Sequence, residues 1–297
     1  MKAKPDCMLC LFKQALNTAR LIAPDDEEAH RRALAAIGAR LPALSLDQTP
    51  AALSMTVYDA IHELTGVNDP YRAFKRETNR LALAVLPRLR PLVERSPDPL
   101  DAALHLAAAG NIVDAGIGHA FDIEKDIQAL MHTPFALSAV DRFRDELRPG
   151  RRMLYLGDNS GEIVFDTVLV DLIAKAGVEV TYAVKSAPII NDATMEDAEE
   201  AGMPALCRVI ETGSRDIGIN FARSSPEFLR AFAEADVILG KGHGNFETCE
   251  DRPENVYFLL RAKCAMVADA IGVTLNDLVF IHGGCGAFAR TPAASDG

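Results

Sequence analysis

Residues 151–194 read RRMLYLGDNSGEIVFDTVLVDLIAKAGVEVTYAVKSAPIINDAT and contain a strand–helix–strand pattern. The apolar runs Met153–Leu156 and Val178–Val184 predict two short buried strands, and residues 161–176 between them predict a helix. A polar segment follows each strand at once, GDNSGE after the first and KSAPIINDAT after the second. Such alternation is typical of a parallel sheet, which binds its ligands at the carboxyl ends of the strands.

The same alternation continues after this segment, whereas helical signals dominate before it. Thr49-Pro50 and Asp69-Pro70 are each predicted to begin a helix, and no strand is predicted before residue 150. The sequence therefore predicts an α/β fold, in which a helical region, 1–148, packs on a Rossmann-like, mostly parallel sheet domain, 149–297. The remaining predicted strands are Arg208–Ile210, Val237–Leu239, Val256–Leu260 and Leu278–Ile281, and further helices are predicted at 135–148, 193–201, 216–234 and 264–271.

The overall charge and hydropathy exclude several classes of function. The chain has 297 residues and a formal net charge of −11, without the long basic run that nucleic-acid binding requires. No apolar segment approaches the ~20 residues that span a bilayer. The first residues, MKAKPDCMLCLF, lack the apolar core of a signal peptide. We therefore expect a cytoplasmic protein that binds neither nucleic acid nor membrane, and the sequence leaves homo-oligomerisation open.

Carboxylate and amide side chains follow the first two strands of the quoted segment. Asp158 and Asn159 come directly after the first strand, and Asp192 lies in the loop after the second. Because neighbouring parallel strands end at the same edge of a sheet, we expect these side chains to lie close together. Their oxygen atoms suit Mg²⁺ or Mn²⁺. In the alternative interpretation, Asp158, Asn159 and Asp192 only cap helices, and Glu162 complements a helix dipole.

A lysine flanked by glycines follows the predicted strand Val237–Leu239. The residues Gly240-Lys241-Gly242-His243-Gly244-Asn245 alternate glycine with polar side chains. Glycines let backbone N–H groups turn toward an anion, and lysine is a point charge suited to phosphate. The segment therefore predicts a phosphate-binding loop formed by Lys241, Gly242, Gly244 and Asn245. In the alternative it is a mobile glycine turn, and Lys185 is likewise either a phosphate ligand or a solvated charge.

Cys7 and Cys10 form a C-x-x-C motif on the first predicted helix. Such a pair is half of a zinc site, a redox pair, or two buried small hydrophobic side chains. Cys285, in a late glycine segment, is the best candidate for a third ligand. Thiolates select softer ions than carboxylates do, so a metal bound by these cysteines would be a second metal, distinct from the first.

Taken in order, these motifs resemble those of the metal-dependent damage-control phosphatases, a former domain-of-unknown-function family. The resemblance is to its prokaryotic and archaeal branch, which has the N-terminal C-x-x-C. It covers nearly the whole chain and rests on CMLC, DPYRAFKRETN, GNIVD, GDNSGE, KSAPIINDAT, GKGHGNFE, RAKC and GGCG.

The resemblance implies a fold, a cofactor and a set of site residues. It implies a helical region on a Rossmann-like domain, and a divalent metal (Mn²⁺, Co²⁺, Ni²⁺ or Mg²⁺) held by Asp158, Asn159 and Asp192. It also implies a phosphate contact from Lys241 and a pocket lined by Glu162 and Lys185.

The function predicted from the sequence is therefore metal-dependent hydrolysis of phosphate monoesters of small metabolites, such as sugar phosphates or damaged phosphometabolites. Catalysis is assigned to Asp158, Asn159, Asp192 and Lys241. The sequence leaves open whether water or Asp158 attacks phosphorus. Two alternatives remain: a protein carboxyl methyltransferase, and a non-catalytic protein that binds a metal or a phosphometabolite.

Overall fold

The predicted strands form one sheet in the computed structural model, which describes residues 1–109 and 123–283. Their order across the sheet is β1-β7-β6-β5-β2-β3-β4. The five strands from β2 to β6 are parallel, β7 is antiparallel to β6, and β1 is parallel to β7. The strands are β1 (Leu137–Ser138), β2 (Arg152–Leu156), β3 (Glu179–Val184), β4 (Arg208–Glu211), β5 (Val237–Lys241), β6 (Val256–Arg261) and β7 (Leu278–His282).

Helices precede the sheet in the chain and then alternate with its strands. The helices before β2 are α1 (Asp6–Ile22), α2 (Glu27–Arg40), α3 (Pro50–Thr65), α4 (Arg72–Glu94), α5 (Pro99–Ala108), α6 (Ile123–Met131) and α7 (Val140–Glu146). Those that follow are α8 (Glu162–Lys175), α9 (Met195–Ala201), α10 (Pro226–Glu234), α11 (Gly242–Cys249) and α12 (Ala265–Ile271). The predicted class, a helical N-terminal region on a mostly parallel sheet, is confirmed.

The two faces of the sheet are buried against different helices. Alternate residues of a strand point to opposite faces, so Tyr155 packs with α4, α5 and α8, whereas Leu154 packs with α10, α11 and α12. A third apolar cluster joins α1, α2 and α3, and it reaches the α/β part through Ile189 and Met266. Helices α1, α2 and α3 therefore have a core of their own, whereas α4 and α5 share a core with one face of the sheet.

The helix starts in the first half follow the local signals in the sequence. The Thr49 side chain accepts a hydrogen bond from the Ala52 N–H at 3.1 Å, and Pro50 is the first residue of α3. Gly66 ends that helix in the left-handed conformation, with a φ of +69°. Within the described residues, no helix is long and apolar enough to cross a membrane.

Three predicted elements differ from the structure. The predicted helix 135–148 is instead strand β1 followed by α7, because residues 137–138 pair with β7. The predicted helix 216–234 begins only at Pro226, where Ser225 caps it. The glycine segment after residue 239, predicted to be a loop, is instead the end of β5 and the beginning of α11. Because β1 lies at Leu137–Ser138, the prediction that no strand precedes residue 150 is wrong.

Candidate active site

The carboxyl end of β2 lies where the strand order of the sheet reverses. β2 pairs with β3 on one side and with β5 on the other. Open α/β sheets bind their ligands in the crevice at such a reversal. Asp158 follows β2 at this crevice, and Gly242 follows β5 on its other side.

The carboxylate of Asp158 rests directly on the backbone of Gly242. Gly242 has a φ of +73°, and a Cβ atom there would overlap Oδ2 of Asp158. Glycine is therefore required twice, for the left-handed backbone and for the close approach of the carboxylate. The glycine segment predicted from the sequence thus does contribute to the site, but as the first turn of a helix.

The loop after β3 is held against the loop after β2. The Ala193 N–H donates to the Asp158 carbonyl oxygen at 2.8 Å, and Asn159 faces Asp192 as a bridge pair. The structure therefore brings together side chains that follow two separate strands. We refer to this group as the carboxylate cluster, which comprises Asp158, Asn159, Glu162 and Asp192.

The carboxylate cluster concentrates negative charge in a desolvated cleft. Desolvation, followed by the charges of Glu162 and Asp192, raises the pKa of Asp158 well above its usual range. Burial raises the pKa of Asp192 to about 6, although the ammonium groups of Lys185 and Lys75 oppose the shift. The Lys185 Nζ lies 3.7 Å from Oδ2 of Asp192. Such crowding of carboxylates favours a cation among their oxygen atoms.

The donor atoms of the cluster fit a hard divalent cation. Nδ2 of Asn159 donates to Oδ2 of Asp158 and to Oε1 of Glu162, each at 3.0 Å, which leaves Oδ1 as the remaining ligand atom of the amide. Carboxylate and amide oxygens are the ligands that Mg²⁺ and Mn²⁺ accept. Among the described residues, no three or more His, Cys, Asp or Glu side chains form a metal-binding group. The candidate ligands of the cluster are instead two carboxylates, from Asp158 and Asp192, and the amide of Asn159.

Lys241 points beneath the cluster into the protein interior. Its Nζ donates to Oε2 of Glu162 at 3.1 Å, to Oδ1 of Asp166 at 2.8 Å and to the Ala107 carbonyl at 2.7 Å. Burial alone would lower the pKa of Lys241, but Asp166 and Glu162 raise it above its ordinary value. These three bonds use all three ammonium hydrogens, as is typical of a buried counter-ion. The phosphate contact expected of Lys241 stays a prediction.

Asn245 and Gly244 lie in α11 rather than in a loop. Nδ2 of Asn245 donates to the Lys241 carbonyl at 2.8 Å and to the Leu156 carbonyl at 3.3 Å, which ties α11 to the ends of β5 and β2. Gly244 packs closely on Gly218, since a Cβ on Gly244 would lie 2.9 Å from the Gly218 nitrogen. Both residues support the wall of the crevice, and their predicted substrate contacts remain a prediction.

Lys263 is an exposed lysine beside the cluster that belongs to the RAKC motif but is not among the predicted site residues. It follows β6, and its charge is the largest one that lowers the pKa of Asp158. Its backbone N–H lies 3.0 Å from Nε2 of His243. Burial lowers the pKa of His243 to about 4, so this imidazole is neutral at neutral pH. The location of Lys263 after the carboxyl end of a strand is the signal that would have identified it.

A second group of chemistry-bearing side chains lies where α1 meets α12. The Cys7 thiol is buried with its Sγ 3.8 Å from Sδ of Met266, whereas Cys10 is exposed. Desolvation raises the pKa of the Cys264 thiol, and nearby Glu247 and Cys10 add to the rise, whereas backbone hydrogen bonds oppose it. We call Cys7, Cys10, Cys264 and Met266 the thiol cluster. The predicted third ligand, Cys285, lies outside the described residues, so a second metal stays a prediction.

Comparisons with known proteins agree with this arrangement. Residues 3–279 match the damage-control phosphatase ARMT1-like domain. A damage-control phosphatase of Pyrococcus horikoshii is 32% identical over 284 residues, which cover 94% of this chain and 97% of that protein. A damage-control phosphatase of Archaeoglobus fulgidus is 32% identical over 286 residues, covering 94% and 98%.

A solved structure extends the agreement to the fold. The crystal structure of a DUF89 family protein from Pyrococcus horikoshii superposes with a TM-score of 0.86 at 30% identity. The superposition covers 95% of this chain and 99% of that one. The chain therefore belongs to the family defined by the damage-control phosphatase ARMT1-like domain.

Proposed function

We propose that this protein is a metal-dependent phosphatase that hydrolyses phosphate monoesters of small metabolites. The observation that carries the proposal is the carboxylate cluster at the strand-order reversal, where Asp158, Asn159 and Asp192 converge. Family membership supports the phosphatase activity, since two relatives are named damage-control phosphatases.

Asp158, Asn159 and Asp192 would hold the cation. A bound divalent cation supplies Lewis acidity toward a phosphoryl oxygen and offsets the negative charge of the ester. The protein contributes orientation: Asp158 is seated on Gly242, and Asn159 is held by two carboxylates. Asp192 is held near Lys185, which remains a candidate phosphate ligand through its location at the same edge.

Lys263 is the exposed cation that best fits a role in binding the substrate phosphate. It is exposed after the carboxyl end of β6, and its positive charge favours the ionised form of Asp158 and so opposes the rise in the pKa of that residue. Fixed positive charge near the equatorial oxygens stabilises the transition state of phosphoryl transfer. The buried Lys241 then neutralises Glu162 and Asp166 from below, while Lys263 acts from the solvent side.

The proposed substrate class rests on the family. The relatives named damage-control phosphatases support a damaged phosphometabolite as the substrate, and sugar phosphates are proposed on the resemblance stated above. The loop after β2, GDNSGE, departs from the glycine-rich turn of dinucleotide-binding folds, which disfavours a methyltransferase that binds a nucleoside cofactor. A protein that only binds phosphometabolites would show affinity without turnover.

The decisive experiment uses metal-stripped protein and p-nitrophenyl phosphate. We expect no turnover after chelation and restored turnover on adding Mn²⁺, Co²⁺, Ni²⁺ or Mg²⁺, one at a time. A screen of phosphorylated metabolites against the best metal form would then define the substrate. Binding of S-adenosylmethionine without phosphatase activity would favour the methyltransferase, and saturable phosphometabolite binding without turnover would favour the non-catalytic binding protein.

A further inference from the structure

We propose that Asp166 is a positioning residue, which fixes the amide orientation of Asn159 through Lys241 and Glu162. Asp166 lies in α8 and is fully buried beneath the carboxylate cluster. It belongs to none of the predicted ligand sets. The inference rests on the proposed function, because its consequence is a preorganised oxygen ligand for the cation.

The first step is the link between Glu162 and Asn159. An asparagine amide presents either oxygen or nitrogen to a cation, depending on the rotation of the group. Because Nδ2 of Asn159 donates to both Asp158 and Glu162, a rotated amide would place its oxygen against two carboxylates. The Glu162 carboxylate thus sets which atom of Asn159 remains for the cation.

The second step is the link between Glu162 and Lys241. The side chains of both residues are almost completely buried, and Oε2 of Glu162 accepts from Nζ of Lys241 at 3.1 Å. A buried carboxylate without a cationic partner is costly, so this ion pair keeps Glu162 in place. One Glu162 oxygen therefore binds Lys241 while the other binds Asn159.

The third step is the fixation of Lys241 by Asp166. Oδ1 of Asp166 accepts from Nζ of Lys241 at 2.8 Å. The Tyr155 hydroxyl donates to the same oxygen at 2.7 Å, and the Tyr182 hydroxyl donates to Oδ2 at 2.7 Å. The two tyrosine rings stack with centroids 4.9 Å apart. Asp166 is consequently held by three donors, and the ammonium of Lys241 has a fixed position.

Tyr182 links this network to the backbone of the site as well. A Cβ on Gly157 would lie 2.6 Å from the Tyr182 hydroxyl oxygen, so the phenol packs against the residue that precedes Asp158. The network therefore supports the cluster in two places. Lys241 contacts Glu162 of the cluster, and Tyr182 packs against Gly157, the residue before Asp158. Groups that orient metal ligands in this way typically affect metal affinity or activity by about 10–100-fold.

The test compares Asp166→Asn and Tyr182→Phe with Tyr257→Phe as the matched control. Asp166→Asn preserves shape and removes the charge, while Tyr182→Phe removes one hydroxyl and keeps the ring. Tyr257 is also fully buried on the same face of the sheet, but its ring packs on Phe143 and Phe280, outside the network. Circular dichroism and thermal unfolding establish that each variant is folded.

Two readouts are measured on metal-stripped protein. Calorimetric titration with Mn²⁺ gives the dissociation constant, which we expect to rise about 10–100-fold in Asp166→Asn. We expect a smaller rise in Tyr182→Phe and none in Tyr257→Phe. Independently, the side-chain amide protons of Asn159, identified by their loss in Asn159→Asp, should exchange faster with solvent in the first two variants.

The outcomes separate this inference from the proposed function. Folded Asp166→Asn and Tyr182→Phe proteins with wild-type Mn²⁺ affinity and unchanged Asn159 exchange would overturn the positioning role. Equal weakening in Tyr257→Phe would also overturn it, because general packing would then be the cause. If wild-type protein itself fails to bind Mn²⁺, the proposed function fails, and the Asn159 exchange rates still test the network. If Asp166→Asn does not fold, Tyr182→Phe decides.

Discussion

The carboxylate cluster and the thiol cluster differ in how completely their neighbours hold them. In the first, Asn159 is fixed by two carboxylates and Glu162 is fixed by a buried lysine. In the second, Cys7 packs on a thioether while Cys10 lies exposed at the surface. Preorganisation is typical of a functional site, whereas the contacts of Cys7 are those of a hydrophobic core. The contrast predicts large functional effects in one region and modest structural effects in the other.

The largest effect is expected from removing a carboxylate of the first region. Asp158→Asn and Asp192→Asn each take a charged oxygen from a site with few protein ligands. We expect each to lower metal-dependent turnover by at least about 10²-fold while the protein stays folded. Steady-state kinetics with p-nitrophenyl phosphate and thermal unfolding measure the two properties. A residue that only caps a helix would instead change stability by about 1 kcal/mol and leave turnover almost intact.

The next largest effect is expected from a substitution at the contact between Asp158 and α11. Gly242→Ala places a Cβ on the Asp158 carboxylate, so we expect loss of Mn²⁺ binding and turnover. Gly272→Ala is the matched control, because Gly272 also has a positive φ of +85° but has open space around its Cβ position. Both variants carry the backbone penalty of about 1 kcal/mol. Equal activity in the two would contradict the role of Gly242 in seating Asp158.

Replacing Lys263 is also expected to reduce the rate of phosphate ester hydrolysis. Lys263→Ala removes a positive charge near Asp158 and should lower kcat/KM for phosphate esters by about 10²-fold. Lys175→Ala is the control, since Lys175 is an exposed residue at the far end of α8 that pairs with Asp171. Kinetics of both variants at several ionic strengths would measure the effect. Identical values for Lys263→Ala and wild type would remove Lys263 from the site.

Much of the fold is predictable because the decisive patterns are local. The strands from β2 to β7 are short apolar runs separated by helical segments, and the sequence predicts all six. β1 escapes prediction because its two residues carry no periodicity and are ordered only by pairing with β7. The predicted start of α10 is wrong although Ser225-Pro226 is a strong start signal, since the ten residues before it are also compatible with a helix.

The sequence predicts that the candidate metal ligands lie close together, but it does not predict the buried residues that hold them. Asp158 and Asp192 are identifiable because they follow consecutive strands. The direction of Lys241 follows from period-two alternation: Val237 and Leu239 point to the face covered by α8, and so does Lys241 once β5 extends to that residue. Asp166 is absent from the predicted site, although two acids four residues apart in the apolar helix EIVFDTVLV are a signal of buried charge.

A pH effect on stability is expected at Glu247, in the α11 helix that connects the two regions. Its side chain is 8% exposed, and burial raises its pKa from 4.5 to about 7. The folded protein therefore binds a proton that the unfolded chain has released, so this residue reduces stability as pH rises from about 4.5 to about 7. Glu247→Gln removes that dependence and should gain about 2–3 kcal/mol over wild type between pH 5 and pH 8.

Urea unfolding at pH 5, 6, 7 and 8 in the presence of a chelator measures this difference. Glu179→Gln is the control, because Glu179 is an exposed glutamate on β3. We expect its difference from wild type to stay constant over the same range. A constant difference for Glu247→Gln as well would show that Glu247 has no raised pKa in the folded protein.

The smallest effects are expected in the thiol cluster. There, Cys7→Ser and Cys10→Ser distinguish two interpretations of the C-x-x-C motif, core packing and metal binding. If Cys7 is a core side chain, Cys7→Ser buries a hydroxyl against Met266 and costs about 1–3 kcal/mol. The exposed Cys10 would then tolerate serine within about 0.5 kcal/mol. If both bind a second metal, each replacement removes a ligand, so both should destabilise the protein by similar amounts.

Urea unfolding of the two variants, with elemental analysis of protein purified without added metal, distinguishes the cases. Equal destabilisation together with a stoichiometric thiolate-bound metal would show that the thiol cluster is a metal site.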